Sequence, residues 1–95
     1  MSKNYFQSCM SSVLLPTGYS DSEEIQNFAN KQLAIAANCS ISQKIDEIKD
    51  QKESSWWNSS CSIEHLYKMR DDAVAKNNHI DVITFTSMIA MRESV

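Results

Sequence analysis

One glycine, Gly18, and one proline, Pro16, occur in the 95 residues, and they stand two positions apart. An all-β domain needs turn-forming residues at regular intervals, and outside 16–18 this chain has no glycine or proline to supply them. The expected fold is therefore all-α: a compact small bundle of four or five short helices, the last two forming an antiparallel hairpin. A chain of this length buries somewhat over ~60% of its unfolded surface, which is enough for one modest core. Residues 1–95 are expected to form a single helical domain, with 1–19 as a loosely docked N-terminal segment.

Helical spacing locates the elements. Tyr5, Phe6, Cys9, Met10, Val13 and Leu14 recur on one face and predict a first helix over 4–15, ended by Pro16-Thr-Gly18. Ser20 and Glu23 have the S-x-x-E spacing of a capping box, and Asp21, Glu23 and Glu24 suit the positive end of a helix dipole. Ile25, Phe28, Ala29, Gln32, Leu33, Ile35 and Ala36 follow as a largely apolar stripe. Asn38-Cys39-Ser40 has the composition of a break, and Ser40 with Gln43 offers a second box, so a separate third helix is expected from Ile41 towards Glu53. Ile41, Ile45 and Ile48 give it a narrow seam on an otherwise polar surface.

Ser62 is the expected cap of the next helix, whose stripe is Ile63, Leu66, Tyr67, Arg70, Ala73 and Val74. Asn77-Asn78 stands where a helix-closing glycine would, because asparagine tolerates the left-handed conformation. In 79–92, Ile80 to Thr86 favour strand by propensity, but a lone strand would have no partner in this chain, so helix is expected. Its wide apolar face makes it the centre of the core or part of a homo- or hetero-oligomer interface.

Nine basic residues against twelve acidic ones give a net charge of −3. With seven lysines, two arginines and no basic cluster, binding to nucleic acid is not expected. No stretch approaches the ~18 apolar residues of a membrane span, and the N-terminus lacks the apolar core of a secretory signal. Three cysteines, Cys9, Cys39 and Cys61, are odd in number and widely spaced, which fits reduced thiols and a cytoplasmic protein better than a disulfide framework. Richness in Ser, Asn, Ile and Lys suggests an AT-rich coding sequence, of the kind met in bacteria, phages and mobile elements.

Catalytic apparatus is sparse. A single glycine rules out G-x-G-x-x-G, Walker-type and nucleophile-elbow loops. Cys61 and His65, four apart at a helix start, could form a thiol–imidazole pair, but an isolated cysteine is more often a small buried hydrophobe. The same two residues, or Asp71, Asp72 and Asp81, fall short of the donor set and spacing of a zinc or calcium site. No cofactor and no metal are expected, and the chain is not expected to be an enzyme.

What remains is surplus aromatic and methionine surface. Both tryptophans lie together in Glu53-Ser-Ser-Trp-Trp-Asn-Ser-Ser-Cys61. Neighbouring side chains point about 100° or more apart, so the two indoles do not easily share a pocket. Tryptophan is highly buried on average, so the commoner arrangement packs both. If instead one seals the core and the other faces solvent, the exposed one is the best hot-spot candidate in the chain. The expected docking residues are Trp56, Trp57, Tyr67, Phe85, Met88 and Met91. The function expected from this is that of a small adaptor, inhibitor or regulator acting on another protein. A chaperone or small subunit of a bacterial secretion apparatus is the alternative.

Overall fold

A computed structural model describes residues 4–17 and 22–95. Every regular element among them is helical: α1 (Tyr5–Thr17), α2 (Glu23–Glu47), a 3₁₀ turn over Lys52–Ser55, α3 (Ile63–Ala75) and α4 (His79–Glu93). The chain divides into two compact units, Met1–Ser40 and Ile41–Val95.

In the first unit, Asn4 caps α1 by accepting from the Gln7 amide at 3.0 Å. The helix runs through Pro16 to Thr17 rather than stopping at residue 15. Proline's fixed φ is itself helical, so it can occupy a last turn at the loss of one N–H donor. Ser22 precedes α2 and accepts from the Ile25 amide at 3.4 Å. The capping box expected at Ser20 involves a residue outside the described ones. Phe6, Cys9 and Val13 of α1 and Ala29, Leu33 and Ala36 of α2 line an open apolar groove of about 260 Å³.

The expected break at Asn38-Cys39-Ser40 is absent: α2 is one helix of 25 residues, roughly 37 Å long. Asn, Cys and Ser are merely indifferent helix formers, and none carries the steric veto of proline or the entropy cost of glycine. Ser40 is therefore not a cap. It sits inside the helix, buried, with no hydrogen-bond partner for its hydroxyl among the described residues. Nor does a third helix reach Glu53. Beyond Glu47 the backbone steps through i→i−3 bonds, Gln51 to Ile48, Ser54 to Gln51, Asn58 to Ser55 and Cys61 to Asn58.

In the second unit α3 and α4 pack against each other as an antiparallel hairpin. Ser62 caps α3 as expected, its hydroxyl taking the His65 amide at 3.1 Å. At the turn Asn77 adopts φ 56°, the left-handed conformation. Its amide bonds the Val74 carbonyl and that of Asn78 bonds the Ala73 carbonyl, which completes a Schellman closure without glycine. Asn78 simultaneously starts α4: its side chain accepts from the Asp81 amide at 3.2 Å and donates to the Asp81 carboxylate at 3.1 Å. One residue thus closes one helix and opens the next, so the connection is short and the helices are antiparallel neighbours.

The core of this unit is Ile48, Cys61, Leu66, Phe85, Met88 and Ile89, with Trp56, Ile63, Tyr67 and Met69 packed around it. Burying each large member stabilises by roughly 1.5–3 kcal/mol relative to exposure. The strand-favouring run in α4 is helical because packing of Phe85, Met88 and Ile89 into the core overrides local propensity, and the hydroxyls along it are satisfied within the helix. Thr84, wholly buried, donates to the Ile80 carbonyl at 2.7 Å, and Ser87 donates to that of Ile83 at 2.7 Å. No helix among the described residues is long and apolar enough to cross a membrane.

Candidate functional site

The stretch Trp56–Cys61 is held at both ends. Ile48 and Cys61, which bracket the tryptophans in sequence, are both buried in the core. From the far end of α4, Arg92 donates through Nη1 to the carbonyls of Trp56 and Cys61, each at 2.8 Å. Inside the loop Asn58 Oδ1 accepts from the Ser60 amide at 2.7 Å and from its hydroxyl. This Asx-type turn tightens the chain between the two anchored ends.

The two indoles are divided. Trp56 is half-buried against the core, whereas Trp57 is 65% exposed. Beside Trp56 lies an open apolar groove of about 220 Å³, lined by Ile41 and Ile45 of α2, by Trp56, and by Thr84, Ser87, Met88 and Met91 of α4. Met91 is 61% exposed and Ile45 is 39% exposed, so the lining continues onto the surface. Lys44 on α2 and Asp81 on α4 form an ion pair at 3.1 Å, within the same unit.

Of the six residues expected to dock a partner, the structure brings Trp56, Met88 and Met91 to one groove and places Trp57 next to it in sequence. Phe85 and Met88 need correction as surface residues: they are 2% and 3% exposed and form the core. On α4 they join Ile48, Cys61, Leu66 and Ile89 in one cluster, and a unit this small has few other side chains with which to fill its interior. Met88 reaches the groove only as part of its floor. Tyr67 is half-buried on α3, where its hydroxyl donates to Glu93 Oε2 at 2.5 Å and the Arg70 guanidinium lies 4.9 Å from its ring centre. That hydrogen bond, aided by burial and by the negative charge of Glu93, holds the phenol above its ordinary pKa of 10.0.

Sequence reasoning missed Arg92. Its position after an apolar helix marks it as a dipole-complementing charge, and nothing local signals two carbonyls more than thirty residues away. Ile41 and Ile45 were visible as a seam, but not as one wall of a groove.

Cys61 is wholly buried, and its thiol points to the Ser62 carbonyl at 4.0 Å. It does not present the accessible nucleophile that pairing with His65 would require. Among the described residues no group of three His, Cys, Asp or Glu side chains is placed to hold a metal ion. Asp71 is engaged by Arg70 at 3.0 Å, and Asp81 by Lys44 and Asn78. The chain matches no protein-family model, and neither a curated protein nor a solved structure shows significant similarity to it.

Proposed function

We propose that this chain is a small non-enzymatic interaction module that docks on a larger protein, with the groove of the second unit and the neighbouring Trp57 as its contact surface. The observation that carries the reading is the exposure of Trp57 and Met91 beside a core that is complete without them. A solvent-facing indole has a hydrophobic cost that the fold does nothing to offset, and tryptophan is the residue most enriched at interface hot spots.

The groove's chemistry favours an apolar occupant. Its two hydroxyls, on Thr84 and Ser87, already donate to carbonyls of their own helix. Its remaining walls are isoleucine, methionine and indole. The partner segment that suits these walls is an apolar one of the larger protein, laying aliphatic side chains between the end of α2 and α4.

Affinity purification from the source cell, read by mass spectrometry, tests this. Trp57→Ala and Met91→Ala are surface changes expected to leave stability within about 0.5 kcal/mol, and both are expected to lose the partner that the unaltered chain recovers. Equal recovery by both folded variants sinks the reading.

A further inference from the structure

We infer that Arg92 is the positioning residue of the docking surface: by clamping the Trp56–Cys61 loop to α4 it keeps Trp56 against the groove and leaves Trp57 in solvent. The consequence for binding rests on the docking reading above; the clamp itself does not.

The argument starts from what else attaches this loop. Its internal bonds, Asn58 to Ser55, Cys61 to Asn58 and the Asn58–Ser60 turn, fix its shape but not its place. At the Cys61 end the buried side chain is an anchor independent of any hydrogen bond. At the Trp56 end the indole is only half-buried, and the polar attachment of its carbonyl is the Arg92 guanidinium.

Both bonds come from one ionised nitrogen, and charge-assisted bonds of this kind are roughly twice as strong as neutral ones. The planar guanidinium carries enough donors to serve both carbonyls at once. Loss of Arg92 therefore frees the Trp56 end and leaves the Cys61 end in place. The two indoles then lose their division of roles, although no residue of the core has changed.

Acrylamide quenching of single-indole proteins tests the clamp. In a Trp57→Phe background, where Trp56 alone emits, Arg92→Gln is expected to shift emission to the red and raise quenching to the level of exposed Trp57, with helical circular dichroism unchanged. Arg92→Lys, which keeps the charge and a shorter donor group, is expected to fall between. Tyr67→Phe, which removes the Glu93 bond near the same end of α4 without touching the loop, is expected to change nothing.

Unchanged shielding of Trp56 in folded Arg92→Gln overturns the proposal, and if that variant does not fold, unchanged shielding in Arg92→Lys does so. An equal rise in Tyr67→Phe also overturns it, because the effect would then be general loosening of α4. Partner recovery by Arg92→Gln separates the two ideas: release of Trp56 with undiminished recovery keeps the clamp and rejects the docking surface.

Discussion

Tyr67 on α3 donates its phenolic hydroxyl to Glu93, the last residue of α4, across 26 positions of sequence. Together with the Asn77-Asn78 turn at the opposite end, it ties the hairpin at both extremities, and the core from Leu66 to Ile89 lies between. A phenol is a far weaker acid than a carboxylic group, so the proton shared between them stays on the phenol.

The ionisation of Tyr67 should report that bond. Its pKa is raised above 10.0, first by the hydrogen bond to Glu93 and then by burial and the carboxylate's charge, with Arg70 opposing. Because the folded value lies above the unfolded one, the bond's contribution to stability is complete below pH 10 and is lost as pH rises through the folded value. With Tyr5 and Tyr19 replaced by Phe, tyrosinate absorbance should appear at a higher pH than in the unfolded chain. Glu93→Gln should bring it back towards the ordinary value; an identical curve would show that Glu93 is not the cause.

The left-handed Asn77 makes a second test. At φ 56° a side chain with Cβ crowds the following carbonyl, at a cost of roughly 1–2 kcal/mol that asparagine partly escapes. Asn77→Ala should destabilise the hairpin by about 1 kcal/mol, and Asn77→Gly should be neutral or mildly stabilising. Urea midpoints of the two variants should bracket the parent. An alanine variant as stable as the glycine one would mean that the turn can close in another conformation.

The Asn77 turn also shows where the sequence was legible. Ser62 and the Asn-Asn turn are local signals, each acting within four residues of the structure it specifies, and each is found as expected. The buried face of α4, Thr84, Phe85, Met88 and Ile89, is set instead by packing in the core. The α2 reading failed for the opposite reason. The apolar pattern before Ser40 centres on Ala29 and Ala36, and the one after it on Ile41 and Ile45, which lie on a different face of a continuous helix. A phase shift flanked by a serine and a glutamine imitates a stop and restart, and no local feature distinguishes it from one. The division of the two indoles was open for a similar reason. It is set by Arg92 and by the burial of Ile48 and Cys61, all long-range relationships.

Ser40 gives the third prediction, since its buried hydroxyl, inside a helix, lacks a partner among the described residues. An unsatisfied buried polar group costs about 1–3 kcal/mol, and alanine is the better helix former. Ser40→Ala should therefore stabilise by about 1 kcal/mol, a rise of roughly 4–8 °C in Tm for a cooperatively folding chain of this length. A lower Tm would mean that the hydroxyl makes a bond in solution that matters to the fold.

The thiols supply the last. Cys61 is wholly enclosed, whereas Cys9 and Cys39 are partly exposed. An alkylating reagent meets an enclosed thiol only when the structure opens, so its rate is slowed by the opening equilibrium, whereas a partly exposed thiol reacts from the native state. Under native conditions, mass spectrometry after brief alkylation should find Cys9 and Cys39 modified and Cys61 intact, with all three modified in urea. Stabilising the fold through Ser40→Ala should slow Cys61 further if it opens by global unfolding of the chain, and leave it unchanged if only the Trp56–Cys61 loop lifts. Fast native reaction at Cys61, above that of a free model thiol, would reverse its assignment as a core residue and return the Cys61–His65 pair to consideration as a nucleophile and its base.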